Sequence, residues 1–235
     1  MKVLAFDTAT VDTVVCATRD GTVLYEESLG PAVDGAPRHS TALLPEVERA
    51  VDASGGWGEI ERLAVGLGPG SFVGIRIALA TAHGLSASTA KPAIGVCTLD
   101  ALGFALREAG GGERDGLAVL DARRGEVFAA LYSGEDGRVW DPFVTAPSEL
   151  AGRLAGLSSP PLAAGAGAVR FRSELAGAGA EIPDDADPLH RVAARHICAL
   201  AEAATDVDAG PLEPIYLRPP DAERWRERDT FQRAG

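Results

Sequence analysis

The chain has 235 residues, 46% hydrophobic and 24% charged, with 22 Lys and Arg against 34 Asp and Glu for a formal net charge of −12. That length and balance fit a globular chain of one large or two modest domains, each with its own core. They exclude autonomous nucleic-acid binding through a broad basic face, since a polyanion would be repelled, and no apolar stretch is long enough for a transmembrane helix.

The first apolar run, Val3 to Phe6, reads as a strand ending at Asp7. It meets an acid too soon for a signal peptide, so the cytoplasm is the expected location. The alternating stretch Thr13 to Thr18 is joined to Thr22–Glu26 through Asp20-Gly21, a hairpin signal. A helix is expected from about His39, with Leu43, Leu44, Val47 and Val51 on one side. Leu63 to Leu67 is a continuous apolar run of the kind buried on both faces of a sheet.

The sharpest local signal follows, Gly66-Leu67-Gly68-Pro69-Gly70-Ser71-Phe72-Val73-Gly74-Ile75-Arg76. Ser71 is placed to cap a long helix carrying Ile75, Leu79, Ala82, His83 and Leu85 at three-to-four spacing. Amides at such a helix start attract anions, so phosphate binding is one reading. A helix end contributes only about 0.3–1 kcal/mol at an exposed site, whereas even millimolar binding needs about 4 kcal/mol. The Lys and hydroxyl pair of a Walker loop is missing, and Ser71 stands where a dinucleotide fingerprint needs its third glycine. Close packing of the helix on the sheet or on a partner is therefore favoured over ligand binding.

A strand at Ala93–Val96 and a helix carrying Leu99, Leu102 and Leu106 complete this half, and Gly110-Gly111-Gly112 reads as a linker. The order then repeats. Leu117 to Leu120 is a strand ending at Asp121, and Val127–Tyr132 and Val139–Val144 flank a second Asp-Gly turn at Asp136-Gly137. Ser148–Leu157 reads as a helix, Leu162–Ala164 as a strand, Gly165 and Gly167 as a second glycine turn, and His190–Ala203 as a closing helix. The repetition predicts a duplicated α/β fold of two facing lobes, residues 1–109 and 110–235, with the last helix packing back on the first lobe and a charged tail from about 219. In such a fold Asp7 and Asp121 would face each other across a cleft. Each carboxylate is equally open to a structural role, bonding the amides of its own turn.

Several segments together resemble the TsaB (YeaZ) family. They are Leu4-Ala5-Phe6-Asp7-Thr8-Ala9-Thr10, Arg38-His39-Ser40-Thr41-Ala42-Leu43-Leu44-Pro45, the glycine turn through Arg76, Asp121-Ala122-Arg123-Arg124-Gly125-Glu126-Val127, and Pro214-Ile215-Tyr216-Leu217-Arg218. Val73 stands where that family usually has Thr, and Arg124 where an apolar residue is common. The resemblance implies a two-lobe actin-like ATPase fold, shared with sugar kinases and Hsp70. It also implies a non-catalytic scaffold in threonylcarbamoylation of the adenosine following the anticodon in tRNA. The implied partners are a TsaD-like catalytic subunit and a TsaE-like ATPase, with a homodimer when TsaD is absent and tRNA reached only through the complex.

The resemblance further implies partner binding by the two helices that carry His39, Leu43, Leu44, Val47, Ile75, Arg76, Leu79, Ala80 and His83. Small residues at Ala78, Ala80, Ala82 and Gly84 would permit close helix approach, although half of these side chains are open to facing their own sheet. Asp7, Thr8, Thr10, Gly68, Gly70, Ser71 and Asp121 are the candidates for weak phosphate or nucleotide binding, with ATP or ADP and magnesium expected, if anywhere, in the complex. His39 is followed four residues on by Leu43 and not by a second His, so no metal site is expected. Cys16, Cys97 and Cys198 show neither metal-pair nor redox-pair spacing and are expected as buried small hydrophobes. The rival readings are a stand-alone ATP-dependent kinase using Asp7 and Asp121 around magnesium and, third, a peptidase using Ser71, which lacks a nucleophile elbow.

Overall fold

A computed structural model describes residues 1–134, 137–204 and 211–218. The first half is built from strands β1 (Lys2–Asp7), β2 (Thr13–Arg19), β3 (Thr22–Leu29), β4 (Arg62–Gly66) and β5 (Ala93–Val96), with helices α1 (His39–Ala53), α2 (Phe72–Thr89) and α3 (Thr98–Ala109). The second half has strands β6 (Gly116–Asp121), β7 (Val127–Ser133), β8 (Gly137–Thr145) and β9 (Leu162–Ala164), with helices α4 (Pro147–Leu154), α5 (Ala166–Arg170), α6 (Arg172–Gly177) and α7 (Ala194–Ala203). The first sheet runs β3-β2-β1-β4-β5 and the second β8-β7-β6-β9. In each sheet the first strand pairs antiparallel with the next and parallel with the strand that follows the crossover. The second sheet thus repeats the first without its last strand, and the whole is a duplicated, two-lobe α/β architecture.

The β2–β3 hairpin closes on Asp20 at φ 49° and Gly21 at φ 75°, two left-handed residues that match the twist of the flanking strands. At the equivalent β7–β8 hairpin, Gly137 has φ 85°, while Asp136 lies outside the described residues, as does the charged tail from 219. Cys16, Cys97 and Cys198 are buried and unpaired with one another.

Three hydrophobic cores, two outer and one central, hold the layers together. On the outer face of the first sheet, Leu4, Phe6 and Val65 pack against Leu43 and Val47 of α1 and Ile75 and Leu79 of α2. On the outer face of the second, Leu117, Val119 and Leu131 pack against Leu150 and Leu154 of α4 and Leu175 of α6. Between the sheets lies one central core holding Val3, Ala5 and Ala64, Leu102 and Leu106 of α3, Leu120 and Ala130, and Ile197 and Ala201 of α7.

The two central helices are exchanged. Helix α3, from the first half, lies on β6 and β7, and helix α7, from the second, lies on β1 and β2. The exchange is pinned by polar contacts: Tyr132 Oη donates to Asp100 Oδ1 at 2.7 Å, and Arg62 Nη1 of β4 donates to Ala201 O at 2.6 Å and Ala204 O at 2.9 Å. Those carbonyls at the end of α7 lack intrahelical donors, so a cation there satisfies them and meets the negative end of the helix dipole. A division of the chain at 109–110 therefore does not separate what packs on each sheet.

Three helical stretches depart from the sequence expectation. Helix α7 begins at Ala194 and not at His190, because Pro188–His190 forms a separate 3-10 turn capped by Asp187, whose side chain accepts from Leu189 N at 2.9 Å. The His190 ring is held there by Gly165 N at 3.2 Å and Pro183 O at 3.2 Å, and Arg191 is already extended. After β9 the chain forms the short helices α5 and α6 where the first lobe has the 18-residue α2. No apolar period in the Ala- and Gly-rich segment 165–179 announced them. Helix α4 also stops at Leu154, short of Leu157.

Candidate functional site

The glycine turn packs against the loop after β1. Ser71 caps α2 through a bond from Gly74 N to its Oγ at 3.2 Å, and Ser71 N donates to Ala9 O at 2.7 Å. Thr8 is fully buried and its Oγ1 donates to Gly74 O at 2.7 Å. A methyl group at Gly66 would overlap the Asp7 carboxylate, one at Gly70 the Ala9 carbonyl, and one at Gly74 the Thr8 carbonyl. Glycine is required here because another stretch of chain occupies the place of the side chain. Gly68 has φ 87°, and its N–H goes to Thr98 Oγ1 at 3.2 Å.

Asp7 closes this arrangement from beneath. Its side chain is 1% exposed; Oδ1 accepts from Ala9 N, and Oδ2 accepts from Thr98 Oγ1 at 2.6 Å. Burial pushes its pKa above the ordinary carboxylate value, against the opposing pull of the Thr98 and Ala9 bonds. Thr98, at the start of α3, thus bridges Asp7 and Gly68, a role that a lone Thr in sequence does not signal. Of the phosphate candidates, Asp7, Thr8, Gly68, Gly70 and Ser71 are gathered at one place, where the Thr8 hydroxyl and the Gly68 and Ser71 amides already have acceptors within the chain. Thr10 lies beside them, half-buried, its Oγ1 accepting from Asp12 N at 3.3 Å.

Asp121, the counterpart in the second lobe, bonds its own turn as Asp7 does. Oδ1 accepts from Arg123 N at 2.8 Å and Oδ2 pairs with Arg170 Nη1 at 2.8 Å. The turn after it is left-handed at Arg123, Arg124 and Gly125, with φ of 62°, 55° and 79°.

Helices α1 and α2 lie side by side on the outer face of the first sheet. The nine side chains expected on a partner-binding face fall into two groups. His39, Leu43, Val47, Ile75 and Leu79 are buried against the protein's own sheet. His39 Nδ1 meets Thr13 Oγ1 at 2.9 Å, its Nε2 has no hydrogen-bond partner among the described residues, and burial lowers its pKa. Leu44, Arg76, Ala80 and His83 face outward.

Sequence reasoning missed part of the outward face. Val73 is 65% exposed and Leu44 59%, and Phe72 is exposed by 39% beside Tyr216, also 39%. Leu44 of α1 and Phe72 and Val73 of α2 thus leave large apolar side chains in water on the outer side of two adjacent helices. The signal for Val73 and Phe72 was present in sequence, as apolar residues off the inward stripe of α2.

The family model described as "TsaD: tRNA N6-adenosine threonylcarbamoyltransferase" matches residues 33–173. The chain is similar, at 38% identity over 141 residues, to the tRNA threonylcarbamoyladenosine biosynthesis protein TsaB of Escherichia coli, a match covering 60% of this chain and 58% of that protein. The matched stretch thus spans little more than half the length of that relative. An uncharacterized protein of Mycobacterium tuberculosis is 36% identical over 225 residues, covering 94% of this chain and 93% of its own. Among solved structures, a Pseudomonas aeruginosa protein described as similar to peptidase YeaZ aligns with a TM-score of 0.75 at 26% identity, over 92% of this chain and 99% of that one.

Proposed function

The chain belongs to the TsaB (YeaZ) family, and from that premise we propose that it is a non-catalytic subunit in tRNA threonylcarbamoyladenosine biosynthesis. In this reading it docks a TsaD-family subunit through the outer face of α1 and α2, and reaches a TsaE-like ATPase and tRNA only through that assembly. Any ATP or ADP with magnesium belongs to the complex.

The observation that carries the reading is the exposed apolar face, Leu44 on α1 with Phe72 and Val73 on α2, beside the small Ala80. Residues 33–173, which match the TsaD-family model, include both helices. A TsaD-family subunit therefore brings a related pair of helices, and like faces pair by an approximate two-fold, as a second copy of this chain would. A stable contact of this kind buries about 1,600 Å² in total. The close packing at the glycine turn supports the scaffold role, since Asp7 and Thr8 hold the turn together.

Co-purification with the TsaD-family subunit tests this. Ala80→Glu places a charge on the outward face of α2 and is expected to abolish capture while leaving a folded monomer. Leu79→Glu is not an equivalent probe, because Leu79 is 8% exposed and its replacement disrupts the core. Capture that survives acidic substitutions at Leu44, Val73, Ala80 and His83 together would remove the docking face. Micromolar affinity of the isolated chain for ATP and magnesium, with turnover lost in Asp7→Ala, would replace the scaffold by a kinase.

A further inference from the structure

Residues 211–218 cross from one lobe to the other along the edge of α2. Leu212 packs into the outer core of the first lobe, and Ile215 N donates to Leu67 O at 2.8 Å, beside the glycine turn. Ile215 and Leu217 join the central core, and Arg218 reaches the second lobe, its Nη1 donating to Ala122 O at 3.1 Å and its other nitrogen pairing with Glu126. Between these anchors Tyr216 stays at the surface. Its ring lies 5.3 Å from that of Phe72, centroid to centroid, at an interplanar angle of 31°. Arg76 stands with its guanidinium carbon 3.8 Å from the centre of the Phe72 ring, and its Nε donates to Tyr216 Oη at 3.3 Å.

The Arg76 side chain is thereby held at two points, by the ring of Phe72 and by the hydroxyl of Tyr216, while among the described residues no acceptor meets its Nη donors. A planar guanidinium fixed at its Nε edge and free at its Nη edge fits a carboxylate. Holding it in place before contact lowers the entropy cost of binding, and Tyr and Arg are the side chains that most often dominate interfaces. The group adjoins Val73 on the outward face of α2.

We propose that the docking face includes the 211–218 strap, and that Tyr216 is a positioning residue holding Arg76 to receive a carboxylate of the TsaD-family subunit. This rests on the docking role proposed above. The occupant is the TsaD-family subunit, because residues 33–173 match the TsaD-family model and include α1 and α2, so that subunit presents a related pair of helices.

Affinity of the full chain for the purified TsaD-family subunit, measured by calorimetry at low and high salt, tests it. Tyr216→Ala and Arg76→Ala are each expected to weaken binding about tenfold and to reduce its salt dependence. The double variant should be little worse than either single one, since both act through one contact. Tyr216→Phe keeps the ring stack but removes the hydroxyl that holds Nε, a hydrogen bond to a charged group, and should lose about as much as Tyr216→Ala. Thermal melts identify any variant that fails to fold, in which case Arg76→Gln, on an exposed side chain, takes its place. Binding of Tyr216→Ala within about twofold of the parent, with Ala80→Glu still abolishing capture, overturns the strap's part and leaves the docking role standing. Additive losses in the double variant overturn the positioning role. Ala80→Glu without effect overturns the docking role itself. Loss in Tyr216→Ala of self-association alone assigns the strap to a homodimer and also overturns the proposal.

Discussion

Asp7 in the first lobe and Asp121 in the second end equivalent strands, and each accepts the N–H of the residue two positions on, Ala9 and Arg123. Beyond that bond they part. The second oxygen of Asp7 takes the Thr98 hydroxyl in a buried place with no cation beside it among the described residues, whereas that of Asp121 takes Arg170 at the surface. The glycines diverge in the same way. In the first lobe they admit the β1–β2 loop, with Gly66 against Asp7 and Gly70 against Ala9. In the second, Gly165 and Gly167 admit the backbone of β6 itself, and His190 accepts the Gly165 amide. The two halves share a turn, and the environment gives each carboxylate a different task.

The largest expected effect separates the two turns directly. Gly70→Ala drives a methyl into the Ala9 carbonyl and should cost about 3 kcal/mol or more, the upper range of overpacking, measured by urea unfolding. Gly125→Ala meets open space and should cost only about 1 kcal/mol for its left-handed backbone. Equal losses would dissolve the distinction.

Next come the carboxylates. Asp7→Ala leaves the Ala9 amide and the Thr98 hydroxyl without their buried acceptor, about 2–3 kcal/mol, while Asp121→Ala removes a surface ion pair worth less than about 1 kcal/mol.

The smallest effect sharpens the comparison through pH. Asp7 has a folded pKa raised by burial, so the folded protein holds its proton after the unfolded chain, titrating near pH 3.9, has released it. Stability should therefore fall as pH rises from about 4 through the folded pKa, then level off. Urea midpoints across that interval should show a shallower slope in Asp7→Asn than in the parent.

Much of this arrangement was legible in the residues. The strand Ala93–Val96 and the Asp20-Gly21 hairpin were read directly, since a short apolar run and two left-handed turn residues each have few alternatives. The Ser71 cap was equally plain, and it fixed where α2 begins. The small energy of a helix end already favours close packing as the role of the glycines. What they pack against, Thr8 and Ala9, is a long-range contact that no local pattern carries. The inward and outward sides of α2 were blurred because Ala, Gly and Ile recur nearly all round it, so Ile75 and Leu79 stood beside Ala80 and His83 as equals until the sheet was in place. The pairing of Tyr216 with Phe72 and Arg76 joins residues some 140 positions apart and had no signature at all.

The crossing of α3 and α7 bears on how the molecule comes to be. While the chain is being synthesised, the inner surface of the β1–β5 sheet, with Val3, Ala5 and Cys16 upon it, stays bare until the segment reaching Ala203 has emerged. Helix α3, made early, must likewise wait for β6 and β7. Neither lobe has a finished interior by itself, so the central core closes only once α7 has been made, and cleavage between residues 109 and 116 would leave two halves held together by the helices each has lent the other and by residues 211–218.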